Sequence, residues 1–221
     1  MRLLPAAVCL VLAVSSLPAD GVEAILARMD QAAPGFHGLA ANVQMDEFTA
    51  ILSDHTNESG TLEMQRLSQN DVRAVLSFPG QRTIALNGKA VRVYYPKMNE
   101  FQDYDLGSNS QMLNQFLLLG FGSSGKDLAG GYEITSEGGD KVGGQVTTKL
   151  QLIPKNPKVK ESLQKVELWI PGDAAYPIQQ QFYEPSGNWR KVVYSDIRLN
   201  PPIQGKLDFK VPPGAKKQSN K

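Results

Sequence analysis

Apolar and polar positions divide the chain into stretches of different period. In residues 1–21, MRLLPAAVCLVLAVSSLPADG, Arg2 precedes an apolar run that ends in small residues, the three regions of a secretory signal. The run, about 15 residues, is shorter than the ~20 a membrane span needs. Residues 1–19 are therefore expected to be a signal peptide, cleaved after Ala19 or after Ser16. Val22, Ile25, Leu26 and Met29 then recur at helical spacing behind Asp20 and Glu23, which have capping-box spacing. This predicts an amphipathic helix ending near Pro34-Gly35.

From Phe36 to Leu106 the period is two, with breaks at 57–60, Pro79-Gly80, Asn87-Gly88 and Pro96. Successive antiparallel strands follow from that pattern. Asn87-Gly88, between Arg82–Leu86 and Lys89–Tyr95, predicts a type I′ hairpin, whose two central residues both need positive φ. Ser108–Phe121 returns to helical spacing: Met112, Phe116 and Leu119 share one face, with Leu113, Leu117 and Phe121 beside it. A short apolar helix is expected, then a flexible hinge over Gly120–Gly131, where glycine is dense. Strand patterning resumes at Val146–Ile153, Gln164–Ile170, Ile178–Glu184, Trp189–Ile197 and Gly205–Val211. The lysine-rich residues 215–221 predict a disordered tail.

No repeat or linker divides residues 20–214, so one domain is expected. Strands outnumber helices several-fold, and the helices are too few to form a full second layer. The fold class expected is α+β: a single strongly curved antiparallel sheet, an incomplete β-barrel, closed over a few helices around a hydrophobic cavity. Phe48, Leu52, Leu62, Met64, Leu76, Phe78, Val91, Val93 and Tyr95 fall on its inner face by alternation. Leu150, Leu152, Val166, Leu168 and Ile170 do so in the second half.

The 23 Lys and Arg nearly balance 22 Asp and Glu, a net charge of +1. That leaves no basic footprint for nucleic acid. The one cysteine, Cys9, lies in the expected signal after Val8, too early and with too large a neighbour to be a lipidation site. The exported fold must then hold without disulfides. His37 and His55 are the only histidines, and neither His-Glu-x-x-His nor Gly-x-Ser-x-Gly occurs. We read no enzyme, no cofactor and no metal. Asp103 and Asp105 share a strand face, a solvated strand end rather than a cation site. Residues 120–127, GFGSSGKD, match Gly-x-Gly-x-x-Gly and most of a phosphate loop. Both motifs need a strand before them, whereas an apolar helix precedes, and Asp127 replaces the hydroxyl that would reach magnesium.

In residues 60–68, GTLEMQRLS, alternation sets Leu62, Met64 and Arg66 on one face. A guanidinium on the apolar side needs partners or sits at a cavity mouth with its head in water. At a sheet edge it would instead snorkel outward, and pattern alone leaves both open.

Over nearly its whole mature length the chain resembles the bacterial periplasmic lipoprotein carriers of the LolA/LolB type. The matching pieces are the N-terminal helix, Gly60-x-Leu62-x3-Arg66, the Asn87-Gly88-Lys89 hairpin leading to Tyr94-Tyr95-Pro96, and the apolar inserted helix. Leu150-x-Leu152-x-Pro154-Lys155, Val166-Glu167-Leu168-Trp169-Ile170 and the closing LDFKVPPG of residues 207–214 complete them. The resemblance implies a monomeric soluble periplasmic carrier of lipoprotein acyl chains or other lipids. It would work between an inner-membrane transporter and an outer-membrane acceptor. It also implies that Arg66 locks a helical lid in the empty state, although Leu67 stands where that family commonly has proline. Leu62, Met64, Val91 and Val93 would line the cavity, with Met112, Leu113, Phe116, Leu117 and Phe121 in the lid. An envelope sensor that binds a membrane protein through the same fold is the second reading.

Overall fold

The computed structural model describes residues 20–68, 71–107 and 118–218. The expected signal, 1–19, lies outside them. The described strands are β1 (Gly38–Thr49), β2 (Asp54–Ser68), β3 (Asp71–Phe78), β4 (Arg82–Asn87), β5 (Ala90–Tyr95) and β6 (Glu100–Asp105). After a gap follow β7 (Tyr132–Val142), β8 (Gln145–Pro154), β9 (Lys165–Pro171), β10 (Gln179–Tyr183), β11 (Trp189–Leu199) and β12 (Lys216–Lys217). The described helices are α1 (Val22–Ala32), α2 (Gly125–Gly131) and α3 (Pro157–Lys160). All twelve strands join one sheet, ordered β12-β6-β5-β4-β3-β2-β1-β11-β10-β9-β8-β7. Only β12 on β6 is parallel among the pairings. A single, mostly antiparallel sheet with few helices is thus what the alternation predicts and what the chain forms.

Alternation decides the inner face. Val166, Leu168 and Ile170 of β9 are fully buried, as are Leu150 and Leu152 of β8, and Ile25 and Met29 of α1 pack against them with Leu119 and Leu128. Each such side chain contributes about 1.5–3 kcal/mol, which ties α1 to the second half of the sheet. Toward the first half, Phe36, Leu39, Ala41, Met64, Val72, Ala74, Leu86 and Phe121 form a second cluster. Val43, Met45 and Phe78 form a third.

Several expectations need correction. Asp20 does not cap α1: Gly21 is the N-cap with no side-chain bond, because the Asp20 carboxylate pairs with Arg28 at 3.0 Å. The hairpin turn centres on Gly88-Lys89, since Asn87 pairs with Ala90. Gly88 takes φ +63° at the first central position, the pattern of a type II′ turn. Phe48 lies on the outer face beside Trp189 and His55, with ring centroids 5.8 and 4.8 Å away. Leu52 is exposed with Ile51 at the turn joining β1 to β2, beyond the apolar region of the sheet. β7 had no expected counterpart: it is an edge strand whose Gly138-Gly139 follows a bulge, so its residues carry little alternation.

Two further corrections concern the chain's end. Gly205–Val211 is not a strand, because its partners are side chains of β2 and β3. The Leu207 N–H donates to Gln65 Oε1 at 2.7 Å, and its carbonyl accepts from Arg73. Nor is the tail disordered from 215. Lys216 and Gln218 donate N–H groups to Asn99 and Phe101 carbonyls at 2.9 and 2.8 Å, laying β12 along β6. Lys217 Nζ sits 3.2 Å from Asp103.

Candidate functional site

β2 presents Arg66 inward beside Met64, and its backbone N–H donates to the His37 carbonyl at 2.8 Å. The side chain reaches over the apolar face. Nη1 donates to the Gly122 carbonyl at 2.9 Å, and Nη2 to the Ala33 carbonyl at 2.6 Å. The guanidinium carbon lies 5.3 Å from the centre of the Phe36 ring, a cation–π distance. Burial pushes the guanidinium below its ordinary pKa, and the nearby Asp127 charge opposes this. It remains a cation. One side chain thus joins the sheet, the turn Ala33–Gly35 after α1, and the turn leading to α2.

That second turn is built tightly. Gly120 and Gly122 take φ of +79° and +75°, conformations that cost other residues about 1–2 kcal/mol. A Cβ on Gly122 would come within 2.2 Å of the Phe36 ring, and one on Gly120 within 2.8 Å of Pro177. The Leu118 carbonyl accepts from Ser123 Oγ at 2.6 Å and from the Phe121 N–H at 2.8 Å. The Leu119 carbonyl accepts from Gln180 Nε2, and the Tyr194 hydroxyl donates to Gln180 Oε1 at 2.7 Å. Phe121 is buried against the Tyr194 and Tyr176 rings.

Residues 120–131, where the hinge is expected, form a tight turn followed by α2. Ser124 caps α2 by accepting the Asp127 N–H at 3.0 Å, and Asp30 accepts the Lys126 N–H at 3.1 Å. Gly125 lets α2 touch α1, for a Cβ there would meet the Leu26 carbonyl at 2.3 Å. Glycine here serves close approach, not freedom. The phosphate-loop resemblance fails for the same reason, since the chain's own Ser124 and Asp30 already occupy those N–H groups.

Two hollows flank the Arg66 tie. One, about 390 Å³, is lined by polar groups including Asp30, His37, Arg66, Ser124 and Asp127. The other, about 190 Å³, lies among Met29, Phe36, Phe121, Tyr176 and Leu199. Ala33 and Gly122 line both, so the acceptors of Arg66 form the wall between them.

Of the expected cavity and lid residues, Leu62, Met64, Val91 and Phe121 meet in the second core cluster. Val93 is half-buried on the same face, opposite Ile84. Met112, Leu113, Phe116 and Leu117 lie outside the described residues. Pattern reasoning passed over Gln180, although it carries the same signal as Arg66: a polar residue at an inward position, between Ile178 and Phe182. Asp103, considered as a cation ligand, instead accepts from Arg92 at 2.7 and 3.1 Å, which holds its carboxyl below the ordinary range. Among the described residues no cluster of three metal-ligating side chains occurs, and no helix is long and apolar enough to cross a membrane.

No protein-family model and no curated protein matches the chain. Solved structures do. An uncharacterised conserved protein from Thermus thermophilus is 15% identical over 89% of this chain and 97% of its own, with a TM-score of 0.50, which shows a shared fold. Lipoprotein LppX from Mycobacterium tuberculosis is 16% identical over 82% and 98%, TM-score 0.49. A LolA superfamily protein from Nitrosomonas europaea is 16% identical over 84% and 96%, TM-score 0.37.

Proposed function

We propose that this protein binds the acyl chains of lipoproteins or other lipids on the apolar inner face of its sheet and carries them through the periplasm toward the outer membrane. The observation that carries the reading is the Arg66 tie. A guanidinium bonded to the carbonyls of two separate segments, Ala33 and Gly122, can let go without stranding a partner charge. Each such bond stabilises the closed arrangement by roughly 1.5–3 kcal/mol. Burying a 16-carbon chain would gain on the order of 12 kcal/mol at ~0.8 per CH₂. A carrier that must release its load needs a competing state, and closure by Arg66 is one.

The dimensions of the sheet and of α1 favour a curled sheet. Twelve strands at ~4.8 Å would span about 53 Å if flat, whereas eleven-residue α1 rises only about 16 Å. Yet the apolar clusters run from Val91 on β5 to Ile134 on β7. Curling brings such distant strands under the same short helices.

The test is transfer of a fluorescent acyl lipid to acceptor vesicles. Arg66→Leu is expected to hold lipid more tightly and hand it over more slowly with the fold intact. Arg66→Lys should be intermediate, because an ammonium lacks the fork. Unchanged transfer in Arg66→Leu would leave the residue a structural tie. Failure of saturating lipoprotein or phospholipid to displace the probe or alter thermal stability would overturn the carrier reading.

A further inference from the structure

Along β1 to β4 the inner face is apolar between Arg66 at one end and charged residues at the other. Along β2 the inward positions run Arg66, Met64, Leu62, Gly60, Glu58; along β1 they run Leu39, Ala41, Val43, Met45, Glu47. On β11, Tyr194 and Val192 give way to Arg190, and on β4, Leu86 and Ile84 give way to Arg82. Four strands therefore turn from apolar to ionic at the end remote from Arg66.

The charges there are paired across strands. Arg82 Nη2 donates to Glu58 Oε2 at 2.6 Å, and Arg190 donates to Glu47. Glu58 is only 4% exposed. Beneath the pair lies Phe78, fully buried, its ring centre 5.2 Å from the Arg82 guanidinium. Gly60 makes room for that ring: a Cβ there would come within 2.9 Å of it. A buried ion pair is weak evidence for stability, since apolar residues of similar volume often do as well or better. Its placement at the end of an aliphatic wall suits another purpose.

We propose that the Glu58–Arg82 pair, flanked by Glu47–Arg190, is the floor of the lipid site and sets the longest acyl chain it accepts. The inference rests on the carrier reading. On β2 a chain entering beside Arg66 would pass Met64, Leu62 and Gly60 over the eight residues to Glu58, about 27 Å at ~3.4 Å per residue. Beyond Met45 and Phe78 it would have to pull Arg82 away from Glu58, whose carboxylate is buried with its side chain only 2% exposed. Each methylene laid on the wall should tighten binding about four-fold, and at the floor that gain should stop.

Saturated fatty acids of increasing length, competing with a fluorescent acyl probe on the purified protein, read this directly. Wild type should show a break in the rise of affinity with length. In the double variant Glu58→Leu/Arg82→Leu, which strands neither charge, the break should move out by two or more methylenes, a gain of roughly 15-fold for the longer chain. Should that variant not fold, Glu58→Gln/Arg82→Met opens the same floor more gently and must move the break likewise. The swap Glu58→Arg/Arg82→Glu keeps the floor ionic and must leave the break in place. A break at the same length with the floor opened, or none in wild type, overturns the floor while leaving a lipid carrier. Absence of binding at every length removes the carrier reading and the floor with it.

Discussion

The ring of Phe36 lies against the backbone of Gly122 so closely that a Cβ there would stand 2.2 Å from Cδ1. The same ring faces the Arg66 guanidinium. Gly122→Ala adds overlap to an unfavourable φ of +75° and should cost about 2–4 kcal/mol in urea denaturation. Gly143→Ala, at φ +56° with open space around it, should cost only about 1 kcal/mol. Equal losses would mean that the Phe36 contact is immaterial.

Gly125 and Gly130 belong to the same short helix but meet different surroundings. At Gly125 a Cβ meets the Leu26 carbonyl at 2.3 Å, while at Gly130 it meets nothing within 4 Å. Gly125→Ala should push α2 off α1 and lose about 1–3 kcal/mol. Gly130→Ala should gain about 0.5–1 kcal/mol by stiffening the unfolded chain. Two small changes of the same sign would instead describe a hinge.

Gln180 joins the Leu119 carbonyl to the Tyr194 hydroxyl. Gln180→Leu leaves both buried groups without that partner and should cost about 2–4 kcal/mol, whereas Tyr194→Phe should cost about 1 kcal/mol. In the double variant the losses should fall short of their sum, because Tyr194 has nothing to bond once Gln180 is gone. Strict additivity in thermal unfolding would show that the three groups do not act as a chain.

On the outer face, Glu167 is buried among Lys149 at 3.1 Å, Tyr183 at 2.9 Å and Lys165. Burial pushes its carboxyl up, but hydrogen bonds from Lys165, Lys149 and Tyr183 outweigh this and hold it below the usual glutamate value of 4.5. A lowered pKa means stability fully present above the unfolded value and lost as pH falls through the folded one. Glu167→Gln should therefore destabilise by about 1–3 kcal/mol near neutrality, and melting curves should converge with wild type as the pH falls below 4.5 and on through the lowered folded-state pKa. A gap that persists in acid would mean that shape, and not charge, holds the cluster.

Alternation exposes the strands, since one slip of register would turn every inward side chain out. It therefore places Arg66 on the apolar face beside Met64, and would place Gln180 there too. It is silent on β7, whose Glu133, Thr135 and Glu137 are exposed and whose bulge breaks the period. Glycine density misleads at Gly125, because composition does not distinguish a residue that must flex from one that must let a neighbour approach.

What the sequence determined by itself was local: the identity of most strands, the amphipathic α1, and the inward direction of Leu62, Met64 and Arg66, all set by which alternate side chains can be buried. Only the tertiary structure decided that Arg66 holds Ala33 and Gly122, that Arg82 meets Glu58, and that Lys216–Lys217 pair with β6. A carbonyl acceptor leaves no mark in sequence, because every residue has one. Which of them a guanidinium finds depends on segments 33 and 56 residues away being brought to one place by the packing of α1 and Phe121.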